Sequence, residues 1–210
     1  MSRSVQLKAK DDSLKDAERL LRNIPNGVEM ATMRSINDAL AAGKTAVSVG
    51  IRKQYTVKAS TIKETIRVKK ASQTRLQGEI ESKGKPLSTR HFRHSPSGEA
   101  TTGSNRKPIR VTIKKGNSTK FKTGFLWNGG YGTDKHAIFV RTGEKRKATK
   151  GYHAGKNYKV EALKKSTSPS VPQMAGESNV SDYVQKRVED VLESRMSHHT
   201  RRFLGKGAKK

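Results

Sequence analysis

The positive charge of this chain is concentrated in one stretch, and that concentration limits how the stretch can fold. Residues 51–165 hold 29 Lys and Arg against 7 Asp and Glu, a net of +22 out of +27 for all 210 residues. Residues 1–50 carry only +2 and residues 166–210 only +3. The middle also holds most of the glycine, and every aromatic residue except Tyr183 and Phe203. Cationic loops crowded on one lone molecule repel each other. They become tolerable when copies close around something negative, or dock against it.

Hydrophobic residues make up 31% of the chain and aromatics 5%. Both values are low for a self-sufficient globule of this length. A thin core is expected, with parts of the chain extended or with burial completed by neighbouring subunits. The same composition also fits disorder of part of the middle in isolation. The absence of Cys excludes disulfides and Cys-based zinc sites. No apolar run approaches the ~20 residues of a membrane-spanning helix. The start, Met1-Ser2-Arg3-Ser4-Val5-Gln6, lacks the apolar core of a signal peptide. A cytoplasm-like compartment without membrane contact is expected. The net charge points to a polyanionic partner, nucleic acid first and an acidic protein surface second.

Periodicity supplies the elements. Val5 and Leu7 suggest a short first strand. Asp11 or Asp12 can cap a helix carrying Leu14, Ala17, Leu20, Leu21 and Ile24, which Pro25-Asn26-Gly27 stops. A longer helix over about 28–49 has an apolar stripe of Val28, Ala31, Ile36, Ala39, Leu40, Ala46 and Val47. The small residues Ala41, Ala42, Gly43 and Thr45 beside it let another backbone approach, from the chain's own sheet or from another subunit. A third, short helix follows Tyr55-Thr56-Val57-Lys58. With Gly50 in a turn this would also fit a helix-turn-helix, although its second helix is short for reading a groove.

From Thr65 the period becomes two, and Ile66 and Val68 with Leu76, Gly78, Ile80 and Ser82 predict a hairpin with one wet face. Residues 93–107 read as a long mobile loop. Ile109, Val111 and Ile113 alternate with Arg110, Thr112 and Lys114 as a clear strand. Phe121 to Trp127 fits strand or turn. Gly129, Gly130 and Gly132 predict a tight hairpin turn, His136 to Arg141 a compact strand, and 144–152 a second basic loop. Pro169 and Pro172 argue against helix or central strand over 166–174. A closing amphipathic helix over 179–204 presents Val180, Tyr183, Val184, Val188, Val191, Leu192 and Met196 on one side.

These readings divide the chain into a helical segment 1–50, a basic β-rich core 51–165, an extended connector 166–178, a helix 179–204 and a flexible tail 205–210. The fold class is α+β, with N-terminal helices and the C-terminal helix packed on an antiparallel sheet.

Chemistry is sparse. His91 and His94 have metal-ligand spacing, but only Glu99 stands near them in sequence and the surroundings are cationic. Glu79 and Glu81 share a strand face, which reads more simply as countering nearby lysines. A metal nuclease needs a denser acidic cluster. Gly129-Gly130-Tyr131-Gly132 lacks the Lys-Ser/Thr and helix of a phosphate-binding loop. No catalytic residue, metal or cofactor is expected, and no enzymatic activity. The candidate contacts to DNA are Lys114, Lys115, Lys120, Lys122, Lys145, Arg146, Lys147 and Lys150, which lie in or beside glycine-containing loops. The same residues read equally as a surface for an acidic protein.

The order of several pieces resembles the minor tail protein Z family of long-tailed, lambda-like bacteriophages. They are the helix Met33-Arg34-Ser35-Ile36-Asn37-Asp38-Ala39-Leu40; Tyr55-Thr56-Val57-Lys58 with Ile62, then Gly84-Lys85-Pro86-Leu87; and Ala137-Ile138-Phe139-Val140-Arg141-Thr142-Gly143. The most specific is Ser168-Pro169-Ser170-Val171-Pro172-Gln173-Met174 before the closing helix. The resemblance covers about 30–204. It implies a structural virion protein, made in the host cytoplasm, that completes the head-proximal end of the tail near the tail terminator, tail tube and connector. It further implies a ring, with sixfold symmetry expected, whose basic lumen meets double-stranded DNA without reading bases. Val171, Pro172, Met174, Tyr183, Val184 and Val188 are then candidates for subunit contact. A free, sequence-nonspecific nucleic-acid-binding protein is the alternative.

Overall fold

The computed structural model describes residues 2–7, 11–96, 107–127, 137–147 and 159–207. It is an α+β protein whose described strands all pair antiparallel, in three three-stranded sheets. The chain divides into two compact units. The first comprises Met1–Lys53, Ala59–Lys85 and Ser170–Lys210; the second comprises Gln54–Lys58 and Pro86–Pro169. Residues 59–85, grouped by charge with the basic middle, therefore fold with the two ends of the chain. Among the described residues no helix is long and apolar enough to cross a membrane.

The first unit is built on two long helices, α2 (Gly27–Gln54) and α5 (Ser178–Gly207). They run antiparallel. A Cβ on Gly50 would touch Val180 and Tyr183, and one on Gly43 would touch Val188. Further along, Ser35 meets Met196 and the Arg34 guanidinium lies over the Phe203 ring. The stripe Val180, Val184, Val188, Leu192 and Met196 is buried along its length. Burying each such side chain contributes about 1.5–3 kcal/mol. α2 also covers a sheet ordered β1–β3–β2, with β1 Ser2–Leu7, β2 Ile66–Lys69 and β3 Gly78–Lys83. Gly78 lies under Ile36 and Leu40, and Ile80 under Gly43. The alternation in β3 holds, with Gly78, Ile80 and Ser82 buried. Glu79 and Glu81 pair with Lys69 and Lys83. The Lys69 ammonium is held above its ordinary pKa by its hydrogen bond to Glu79, then by the charges of Glu79 and Glu81.

Helix α1 (Asp11–Leu21) buries Ala17 and Leu21 and packs on α5. The short α3 (Ala59–Lys63) buries Ile62. Gly50 sits inside α2, which runs on without a break to Gln54, so there is no turn there for a helix-turn-helix. The connector expected to be extended over 166–178 contains a further short helix, α4 (Val171–Ala175). Pro172 lies in its first turn, where a missing N–H costs nothing. Ser170 and Gln173 close a capping box around it. Val171, Pro172 and Met174 are buried and hold α4 against β3 and α5. α5 extends to Gly207, into the expected tail.

The second unit holds two sheets. One is ordered β4–β5–β6, from Arg93–Ser95, Ile109–Thr112 and Ser118–Phe121. The other is ordered β7–β8–β9, from Gly124–Trp127, Ala137–Lys147 and Lys159–Lys165. β4 occupies the start of the stretch expected to be a loop, and β8 runs through 144–147, where a basic loop was expected. Ile109, Val111, Phe125, Leu126 and Ile138 supply buried apolar surface. Phe125 faces Phe139 across the ladder, stacked at 6.2 Å. The predicted turn at Gly129, Gly130 and Gly132 lies outside the described residues.

Two buried features of the first unit can be tested by urea unfolding. An added Cβ at Gly43 would lie 2.5 Å from Ile80 Cδ1 and 2.8 Å from Val188 Cγ2. Gly43→Val is expected to cost about 1–3 kcal/mol by overpacking; a loss under ~0.5 kcal/mol would show that α2 is not clamped there. The His199 side chain is only 8% exposed, and its Nε2 donates to Asp38 Oδ2 at 3.0 Å. Its Nδ1 has no partner among the described residues. Asp38→Ala leaves a buried donor unsatisfied and should cost about 1–3 kcal/mol; unchanged stability would mean that the contact is idle.

Candidate polyanion interface

The charge of the second unit has little internal compensation. Its described residues include 16 Lys and Arg and two carboxylates, Glu144 and Glu161. The described residues of the first unit include 21 Lys and Arg and 14 Asp and Glu. There the acids are used locally, as in Lys69–Glu79, Lys83–Glu81 and Arg195–Asp38.

The strands of the second unit set like charges opposite each other. In β4–β5–β6 one row runs Ser95, Arg110, Lys120, and the next runs Arg93, Thr112, Ser118. Residues two apart share a face, so both rows point the same way. The other face takes Ile109 and Val111 into the core. Arg110 opposes Lys120 directly, and like charges so placed are destabilising. In the β8–β9 ribbon Lys147 opposes Lys159. From residue 142 onward the side chains of β8 are exposed. The ribbon is irregular between Arg141 and Lys145, where Gly143 adopts φ +81°. Glu161 reaches back to Arg141 Nε at 3.2 Å and stands opposite Lys145.

The candidates named from sequence fall into two groups. Lys114 and Lys115 lie in the β5–β6 turn, Lys120 on β6, and Lys122 in the turn before β7. All four are exposed. Lys114 is also ordered, with its ammonium 5.3 Å from the centroid of the buried Tyr55 ring and its backbone bridged to Tyr55. Lys145, Arg146 and Lys147 form the second group. They lie on a strand, not the expected loop, with Lys145 and Lys147 on one face and Arg146 on the other. Lys150 lies outside the described residues.

Two residues were missed. Arg93 was assigned to a mobile loop, and Arg110 was read only as the polar face of a strand. Neither has an ion pair among the described residues. The period of β5 already put Arg110 beside Thr112; what joins Arg93 to them is strand pairing, which no local pattern announces.

The proposed subunit contacts need correction. Val171, Pro172, Met174, Val184 and Val188 are buried within the chain's own first unit, so they are already covered. Tyr183 alone is half-exposed, with Lys53 Nζ 3.8 Å from its ring centroid. His94 Nδ1 is engaged with the Phe92 carbonyl at 2.8 Å. Among the described residues no group of three His, Cys, Asp or Glu is placed to hold a metal. Searches of protein-family models, curated proteins and solved structures find no match to this chain.

The opposed cations can be tested directly. Lys120→Glu turns a repulsive cross-strand pair into an attractive one. It is expected to stabilise the free protein by about 0.2–1 kcal/mol while weakening its retention on double-stranded DNA. Loss of stability in urea unfolding would show that Arg110 and Lys120 do not repel.

Proposed function

We propose that this protein is a non-enzymatic structural component of a phage virion. In this reading it completes the head-proximal end of the tail as a ring whose second unit faces a polyanion. The carrying observation is the exposed rows of opposed cations with no ion pair among the described residues, Arg93, Arg110 and Lys120 on one sheet and Lys147 and Lys159 on the ribbon. A free monomer bears that repulsion without compensation. Phosphates, or the acidic face of a neighbouring ring, relieve it.

The place in the tail comes from the resemblance described above. The segment that carries the resemblance most specifically has structural tasks of its own in this chain. Within Ser168-Pro169-Ser170-Val171-Pro172-Gln173-Met174, Ser168 bonds the Leu87 carbonyl, Ser170 and Gln173 cap α4, and Val171 and Met174 are buried. With the aliphatic stripe of α5 used internally, a ring contact falls to other surfaces. DNA in such a lumen is held by its backbone, through counterion release, with no need for base contacts.

A second reading is favoured by the β8–β9 ribbon. A two-stranded ribbon with exposed faces fits the major groove, and a free nucleic-acid-binding protein would use it so.

Electron microscopy and a salt titration separate the two. The proposal expects ring-shaped oligomers in the purified protein or in tail assemblies. It also expects weak, sequence-independent DNA binding whose logarithm falls with log salt by about 0.9 per phosphate contacted. Absence of any ring in both preparations would overturn it. Tight, sequence-selective binding by the monomer would move the function to the second reading.

A further inference from the structure

The outer face of β4–β5–β6 carries a pocket of about 370 Å³, lined by side chains of both β4 and β5. Its floor is made by the two side-chain rows. Arg93 and Ser95 come from β4, Arg110 and Thr112 from β5, and Ser118 from β6; His94 of β4 also lines it. At its rim Gly116 turns the β5–β6 connection with φ +83° and adds no side chain.

The donors outnumber the acceptors. Each guanidinium offers five N–H groups in a planar fork and accepts nothing. Among the described residues neither Arg93 nor Arg110 has an ion pair, and none of those that line the pocket is a carboxylate. Thr112 Oγ1 and Ser118 Oγ lie 2.6 Å apart, so one hydroxyl donates to the other. The proton of the accepting hydroxyl is left for a ligand.

The backbone beneath is tied down. Thr56 Oγ1 accepts from the Arg93 N–H at 3.0 Å and donates to the Thr112 carbonyl, clipping together the residues that face each other across β4 and β5. The Thr56 N–H donates to the Ile113 carbonyl at 3.1 Å, which fixes the clip itself. The two arginines therefore stand on a braced floor.

We infer that this pocket is a binding site for a single phosphate group. Two forks and a hydroxyl match the oxygens of a tetrahedral dianion or phosphodiester. Among the described residues no Phe, Tyr or Trp lines the pocket to stack a base, and the one ring that does line it, His94, has its Nδ1 engaged with the Phe92 carbonyl. Among the described residues no carboxylate lines the pocket to select a cation or to accept from sugar hydroxyls. The chemistry recognised is the phosphate, carried by a nucleic-acid backbone or free in solution. This inference deepens the polyanion reading above, and rests on it for the first of those two sources.

The test is a titration of the full-length protein with inorganic phosphate, followed by NMR of the arginine side-chain Nε–H signals. A parallel titration uses a short double-stranded DNA. Inorganic phosphate is expected to shift Arg93 and Arg110 saturably. Arg93→Gln and Arg110→Gln should each weaken it by about tenfold or more, as loss of a charge-assisted hydrogen-bond donor implies. Arg110→Lys should recover part of the loss. The double variant Lys145→Gln/Lys147→Gln, on the ribbon, should leave phosphate affinity unchanged. Circular dichroism melts of each variant exclude unfolding as the cause.

Shifts spread evenly over all basic residues, or unaffected by the arginine variants, would overturn the site. If DNA binding then persists and responds only to the ribbon variant, the polyanion reading survives without this site. If phosphate binds at the arginines but DNA does not bind at all, the site stands with free phosphate as its ligand, and the polyanion reading loses nucleic acid as its partner and keeps only an acidic protein face.

Discussion

Close antiparallel packing of α2 on α5 is the constraint on which the rest of the first unit depends. It brings residues 27–54 against residues 178–207, although well over a hundred residues separate them in the chain. Such a contact is slow to find, because loop closure is paid before burial rewards it. It is stable once found because Gly43 and Gly50 let Val188 and Val180 approach the α2 backbone. The hydroxyl of Ser35 and the His199–Asp38 contact then set the register near the other end of the pair. In sequence, the second unit lies between the two halves of this scaffold, so its loops and strands are free to vary without touching the helical core's own pattern.

That arrangement also separates two uses of charge. In the first unit carboxylates sit on the same sheet faces and helices as the lysines, and pair with them. In the second unit strand pairing aligns cations with cations. The energy of each opposed pair is small, a few tenths of a kcal/mol to about 1 kcal/mol. The strand Ile109–Thr112 can bear it because Ile109 and Val111 are fully buried on the other side. An anion opposite the exposed face gains both its own attraction and the relief of that repulsion.

Much of the fold was legible. The period of 3.6 residues in 28–49 and 179–204 and the period of two in 66–82 and 109–113 each mark one wet and one dry face, and burial follows them. The misreadings share a cause: they lie where partners distant in sequence decide. Arg93-His94-Ser95 has no apolar alternation of its own and becomes a strand by pairing with β5. The segment 144–147 is all polar and becomes a strand by pairing with β9. Pro172 looked like a helix breaker, yet a first-turn proline with a capping box starts one. For the same reason the lysine-rich stretches were found at once as candidate contacts, whereas the pocket was not. It is assembled from three strands, and no one of them carries it.

The choice of cation differs between the two parts of the second unit in a way that composition conceals. On the ribbon the charges are mostly lysine: Lys145, Lys147 and Lys159, with Arg146 on the opposite face. A flexible ammonium is a strongly hydrated point charge that tolerates many positions of its anion. On the β4–β5–β6 face the two cations that line the pocket are both arginine, and they stand on a backbone clipped by Thr56. A guanidinium fork binds well only when the acceptor's geometry is fixed. A diffuse, salt-sensitive attraction along the ribbon and a defined seat for one oxyanion on the sheet are therefore different tasks, and substituting Lys for Arg would not exchange them. In the proposed reading the ribbon draws a polyanion to the surface, while the inferred site holds one group of it in register.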